Sequence, residues 1–187
     1  MNIKRANDWG RYALMTHLAR RLGAGNNFGK KAAQKVVYLL QEVAGVPTGF
    51  RFTFYTYGVF SSELAGALDA VESMGGIDAE YDPAENAYRL RAGLKAATIE
   101  GRGMAFLSEY RDAIENIVSF AEGKTARTLE LISTIVFVEK TEGLGRDGEE
   151  SRLVDRVVEL KPRFDVSMVK QRIGELRAFG HLSKSGA

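Results

Sequence analysis

The 187-residue sequence predicts a mainly α fold in two parts: an N-terminal module of helices with a β-hairpin, packed on a C-terminal helical module. Three observations carry this. Apolar residues recur at i, i+3, i+4 and i+7 through most of the chain, the period of an amphipathic helix. One stretch, residues 77–90, reads instead as two short strands about an Asp-Pro turn. Hydrophobic residues make up 45% and charged residues 27%, a globular mix, and the length suits one or two domains.

The first expected helix covers residues 7–22, with Leu14, His17, Leu18 and Arg21 at helical spacing and Gly23 as its stop. A Gly/Asn-rich loop follows over 23–29. Residues 30–44 form a second helix whose stripe is Ala33, Val36, Val37, Leu40, Val43 and Ala44. Gly45, Pro47 and Gly49 break the chain. Residues 50–57 are aromatic-rich, and alternation at Phe50, Phe52 and Phe54 fits an extended stretch or a short strand with one apolar face. Ser61 or Ser62 is a natural N-cap for a third helix carrying Leu64, Leu68, Val71 and Met74 and stopped by Gly75-Gly76. Strands at 77–81 and 87–90 flank the turn at 82–86.

Helix, helix, hairpin is the order of a winged helix, so the N-terminal module, residues 1–93, is expected to be winged-helix-like with the hairpin as its wing. The aromatic segment makes its inter-helix turn longer than usual. Residues 94–187 are expected to be helical, at 102–121, 125–142, 151–160 and 167–179, with the stretch near 93–103 as the join. Each half is short for an independent core, so the two are expected to pack together.

Composition excludes several classes of function. There is no cysteine, hence no disulfide, no Cys-ligated zinc and no thiol nucleophile. The longest nearly apolar run, residues 131–138, is far short of the ~20 residues that span a bilayer, and no apolar signal-peptide core follows Lys4 and Arg5. A cytoplasmic location without membrane contact is the expectation. His17 and His181 stand alone, with no metal-ligand spacing, and are read as structural. Residues 143–148 satisfy the letters G-x-G-x-x-G but follow a helical pattern rather than a strand, so a flexible inter-helix loop is expected. Gly23–Lys31 has the wrong spacing for a P-loop, and Lys31 stands where magnesium needs Ser or Thr. A weaker anion contact at this glycine-rich helix start is the reading retained. No cofactor and no catalytic set is expected, and the chain reads as non-enzymatic.

The net charge of +2 hides an asymmetry. Residues 1–58 hold nine Lys/Arg against two acids, 59–100 hold three against eight, and 101–187 hold fourteen of each. The basic set is Lys4, Arg5, Arg11, Arg20, Arg21, Lys30, Lys31, Lys35 and Arg51, a candidate phosphate-binding face. The third helix carries Glu63, Asp69 and Glu72 and no cation, so it is a poor major-groove reader. The candidate nucleic-acid contacts are therefore Lys30, Lys31, Lys35 and Arg51, the wing residues Arg89 and Arg91, and Lys170 and Arg172 of the last helix. Ser167, Gln171 and Arg177 furnish that helix further. Two partners stay open: nucleic acid, bound as a regulator, and a protein.

Four segments also carry a resemblance. Lys35-Val36-Val37-Tyr38-Leu39-Leu40-Gln41 is followed by Phe54-Tyr55-Thr56-Tyr57-Gly58-Val59-Phe60-Ser61, and further on by Gly75-Gly76-Ile77 and Leu160-Lys161-Pro162-Arg163-Phe164. Together, over roughly residues 31–182, they resemble the YwgA-type proteins, which are distantly similar to the SocA-type (Panacea) antitoxin domains. Val59 departs from the proline of that pattern. The resemblance implies a winged-helix-like, mostly α fold and no established reaction. Its antitoxin relatives bind a partner protein.

Overall fold

The structure, a computed structural model, describes residues 8–25, 28–83, 86–145 and 148–182. Its elements are mainly helices, with two separate two-stranded hairpins. Helix α1 (Asp8–Leu22) runs into a 3-10 turn, Gly23–Gly25. Seven of the residues from Gly10 to Ala19, including Thr16, are buried on more than one side. This is wider than a single stripe, because α1 lies among later elements. Thr16 turns its hydroxyl back onto the Tyr12 carbonyl, 2.8 Å away, and so satisfies its buried oxygen.

Helix α2 (Lys30–Glu42) is the inner helix: every residue from Ala32 to Leu40 is buried. That run includes Gln34 and Lys35, whose polar ends need partners inside the protein. The aromatic segment supplies them. It is not one strand but a tight hairpin of β1 (Thr53–Tyr55) and β2 (Gly58–Phe60), paired Thr53 to Phe60 and Tyr55 to Gly58. The Gln34 amide clamps Ser61, accepting from its N–H at 2.8 Å and donating to its carbonyl at 3.0 Å. Lys35 Nζ donates to the Val59 carbonyl at 2.5 Å. Further along, Gln41 Nε2 donates to the Phe50 carbonyl and Gln41 Oε1 accepts from the Thr48 hydroxyl.

The aromatics of this segment divide into two sets. Phe50 is buried, Phe52 sits edge-on to Tyr38, and Phe54 stacks on Phe137 at 4.6 Å. Tyr55, Tyr57 and Phe60 are exposed.

Helix α3 (Ser62–Ser73) starts at Ser61, whose hydroxyl accepts from Leu64 N–H at 3.2 Å. The second hairpin, β3 (Ile77–Asp82) and β4 (Ala87–Ala92), is longer than the sequence pattern suggests. Its turn residues 84 and 85 lie outside the described residues. This hairpin is tied back to the loop before α2, where Leu90 N–H donates to the Phe28 carbonyl at 2.8 Å. Gly29 allows that approach, since a Cβ there would meet the Tyr88 carbonyl oxygen at 2.0 Å.

A helix α4 (Ala96–Arg102) comes next, and where one helix over 102–121 is expected there are two, α5 (Met104–Glu109) and α6 (Arg111–Ala121). The stretch expected to join two modules is thus itself largely helical, with Ala96 and Ile99 buried. Its break at Gly103 lies against α1, where a Cβ would meet Ala13 Cβ at 2.3 Å and the Trp9 carbonyl oxygen at 2.4 Å. Helices α7 (Ala126–Glu142), α8 (Glu150–Leu160) and α9 (Val166–Ala178) complete the chain. Thr125 and Asp165 cap α7 and α9.

One apolar cluster links the elements, from Leu14 of α1 through Val36, Leu64, Leu90 and Ile117 to Ile132 of α7 and Ile173 of α9. None of the described helices is long and apolar enough to cross a membrane.

Replacing Gln34 by Leu at almost unchanged volume leaves the buried Ser61 N–H without its acceptor, while the Ser61 carbonyl keeps the Ala65 N–H at 3.1 Å. An orphaned buried backbone N–H costs ~1–3 kcal/mol. Urea denaturation is expected to show a loss of about 1–3 kcal/mol with the m-value unchanged.

Candidate functional site

Most of the basic set is consumed within the chain. Arg11 donates to the Thr48 and Gly49 carbonyls at 2.8 and 3.1 Å and lies over the Phe50 ring. Arg20 pairs with Glu100 at 3.0 Å and Arg21 with Glu115. Lys30 Nζ sits 2.9 Å from Asp69 and 3.4 Å from Glu72, and the Asp69 hydrogen bond raises its pKa. Arg51 reaches Glu63 with its side chain at 2.7 Å and its backbone N–H at 3.2 Å, and these bonds lower the Glu63 pKa. Arg89 pairs with Asp82, and Arg172 with Glu175 one turn along α9. Lys4 and Arg5 lie outside the described residues.

The acids of α3, which on sequence made it a poor major-groove reader, thus serve to neutralise Lys30 and Arg51. Arg91 is exposed on β4, beside Asp78 in the strand register. Lys170 is exposed on α9, where Arg177 also pairs with Glu150.

Lys35 differs from the surface contact expected of it. It is 5% exposed, and burial pulls its pKa down from 10.5 to about 8 against the opposing pull of Glu130. Glu130 is itself buried, in an otherwise apolar run of α7. Its partners come from the segment after α8. Lys161, 3% exposed, sits 2.9 Å from Glu130 Oε1, off the angle of a hydrogen bond, and Arg163 pairs with Oε2. Lys161 also donates to the Thr56 and Tyr55 carbonyls and lies over the Phe54 ring at 5.0 Å. Two buried ammonium groups therefore hold the β1–β2 hairpin by its carbonyls, from opposite ends of the sequence. The segments around Lys35, Tyr55–Ser61 and Lys161–Phe164 meet here.

Outside this hairpin runs an open groove of about 720 Å³. One wall is the first turns of α2, with Lys30, Lys31 and Gln34. Another is the exposed hairpin aromatics Tyr55, Tyr57 and Phe60. Ala65 and Leu68 of α3 and Ala126 and Arg127 of α7 complete it, with Lys35 and Glu130 also lining it. A second groove of about 530 Å³ adjoins it, sharing Lys30, Lys31, Ala126 and Arg127 and reaching Tyr88 and Arg89 of the β3–β4 hairpin. Of the eight candidate contacts, Lys30, Lys31, Lys35 and Arg89 come together along these grooves. Arg51, Arg91, Lys170 and Arg172 line neither.

Arg127, Glu130 and Lys161 were not among the sequence candidates. Glu130 has a sequence signal, a lone acid bordering the apolar run 131–138. Lys161 stands in a segment that carries the resemblance, without a role attached, and Arg127 has no signal, since both roles come from elements far apart in the chain.

Among the described residues the glycine loops serve packing and capping. Gly29 and Gly23 pack against the β4 backbone, and Lys30 beside them is paired. Gly143, with φ +69°, caps α7 by donating to the Glu139 carbonyl; Arg146 and Asp147 lie outside the described residues. His17 meets Glu115 at 3.0 Å, beside a smaller cavity lined also by Glu100 and Arg111. Burial pushes the Glu115 pKa up, but the His17 and Arg21 bonds bring it below its ordinary value. His181 lies 3.5 Å from Glu139, and burial lowers its pKa. No group of three His, Asp or Glu among the described residues could hold a metal.

Two outcomes follow from the buried charges. Below about pH 8 folded and unfolded chains both keep the Lys35 proton, so stability does not respond to it. Between there and 10.5 only the unfolded chain keeps it, so stability rises with pH. Relative to Lys35→Met, wild-type unfolding free energy is expected to climb by about 2–3 kcal/mol across that window. Glu130→Ala leaves Lys161 buried without a carboxylate and is expected to cost ~3–5 kcal/mol, whereas Glu130→Leu with Lys161→Met restores much of it. Chemical denaturation of the single and double variants checks both.

A scan against protein-family models finds no match for this chain, and a search among curated proteins finds none.

Proposed function

We propose that this protein is a non-enzymatic, cytoplasmic binding module with winged-helix-like element order, and that it docks a segment of a partner protein in the groove outside the β1–β2 hairpin. The observation that carries this reading is the groove itself. Its floor is largely apolar, its rim bears Tyr55, Tyr57 and Phe60, and its walls come from α2, the β1–β2 hairpin, α3 and α7, which share one apolar core. Exposed aromatics around a preformed apolar groove are the anchors and pockets that protein interfaces use. The hairpin that forms the rim is locked by Gln34, Lys35 and Lys161, so little ordering is left for binding. The resemblance to the YwgA-type proteins and their partner-binding antitoxin relatives points the same way, since the segments that carry it build this hairpin and its supports.

Nucleic acid, the other partner the sequence leaves open, asks for a face of cations ready to displace counterions. Lys30, Arg51, Arg89 and Arg172 instead hold carboxylates of this chain, and Lys35 is buried. That distribution favours the protein partner.

The test is selection of binders from a random peptide library on the folded protein, followed by calorimetry of single peptides. Ala65→Trp fills the groove from a half-exposed position of α3 and is expected to weaken selected peptides about ten-fold or more, with thermal unfolding unchanged. Peptides indifferent to Ala65→Trp would remove the groove from the proposal. Tight, steeply salt-dependent binding of duplex DNA would replace it with the nucleic-acid reading.

A further inference from the structure

Resting on that reading, we infer that the docked segment is acidic: an apolar or aromatic anchor seated against the hairpin rim, flanked by carboxylates that meet Lys31 and Arg127.

The charges lining the groove fall into those already answered and those not. Lys30 is answered by Asp69 and Glu72, and Glu130 by Lys161 and Arg163. Lys35 is turned inward onto the Val59 carbonyl. Lys31 and Arg127 remain. Both are exposed, and neither has a carboxylate within 4 Å among the described residues. Lys31 Nζ lies 5.9 Å from the Tyr57 ring. The Arg127 guanidinium lies 5.4 Å from the Phe164 ring and donates to the Arg163 carbonyl at 3.3 Å. Held by rings and a carbonyl, these two cations keep their charge available to an anion.

Their position decides what kind of anion. Lys31 and Arg127 belong to both grooves, so they mark the boundary where the apolar trough passes into the second groove. A small ligand fills roughly 300–1,000 Å³, and either groove alone would hold one. Two grooves joined at a pair of cations suit a longer ligand, whose apolar side chain fills the first and whose next residues cross the cations. Carboxylates there are complemented by Lys31 and Arg127. Basic residues there meet two like charges in a partly desolvated trough, which costs affinity and excludes wrong partners.

The experiment uses the full chain and three labelled synthetic peptides sharing a Trp/Leu anchor, with flanks of Glu, Gln or Lys, followed by fluorescence anisotropy at low and high salt. A single-stranded oligonucleotide of similar charge is the fourth probe. The Glu-flanked peptide is expected to bind about ten-fold tighter than the Lys-flanked one at low salt, with the gap narrowing at high salt. Lys31→Glu with Arg127→Glu, both on the surface, is expected to reverse the order, and Ala65→Trp to weaken all three.

Equal binding of the Glu and Lys peptides, still sensitive to Ala65→Trp, would overturn the acidic preference and leave the docking groove standing. Failure of all three peptides, or binding indifferent to Ala65→Trp, would overturn the docking reading with it. An oligonucleotide that outbinds the Glu peptide and is lost in the charge-reversed variant would overturn both in favour of nucleic acid.

Discussion

The structure depends on burying polar side chains of α2. Gln34 and Lys35 lie where the core should be apolar, and each must find a partner or cost several kcal/mol. Both find it in the backbone of the hairpin segment: Gln34 clamps Ser61 on both sides, and Lys35 takes the Val59 carbonyl. Because an amide side chain matches a backbone N–H and C=O in only one register, the clamp sets where β2 ends and α3 begins. Ser61, held there, then caps α3. One pair of contacts therefore orients the inner helix, the hairpin and the third helix together.

The same hairpin is gripped from the other end of the chain by Lys161, whose charge is carried by Glu130 of α7. Buried ions of this kind add little net stability compared with apolar substitutes, but they tolerate only one arrangement. Here that arrangement joins the region after α8 to a turn more than a hundred residues earlier. The consequence is a rim of aromatics that cannot be relieved by folding inward. Phe50 and Phe54 satisfy the core, and Tyr55, Tyr57 and Phe60 are left outside. A rigid exposed aromatic rim over an apolar trough is the feature from which the binding proposal grows.

Charge tells a parallel story. The cations of residues 1–58 and the acids of 59–100 look, along the sequence, like a basic face and an acidic one. In space several of them are one another's partners: Lys30 with Asp69 and Glu72, Arg20 with Glu100, Arg51 with Glu63. Segregation along the chain became complementarity across the fold. At the groove Lys31 and Arg127 are left over, and the second of these comes from a segment whose charges balance.

The residues by themselves determined the helical class, a serine cap at Ser61 or Ser62, a hairpin over 77–90 and the absence of thiols, because periodicity, capping and composition are local properties. The helical character of Ala96–Arg102 was hidden in a stretch read as a join, and only the approach of α1 requires the glycine that follows it, Gly103. The β1–β2 hairpin was half legible: its alternation shows, but its turn at Thr56-Tyr57 lacks the usual Asn-Gly signal. Lys35 reads as a surface cation on any helical plot, and its burial follows only once the hairpin and α7 close over it. The groove could not be read at all. Its walls come from α2, β1–β2, α3 and α7, and the distances between those elements are set by packing over long sequence separations, which only the tertiary structure decides.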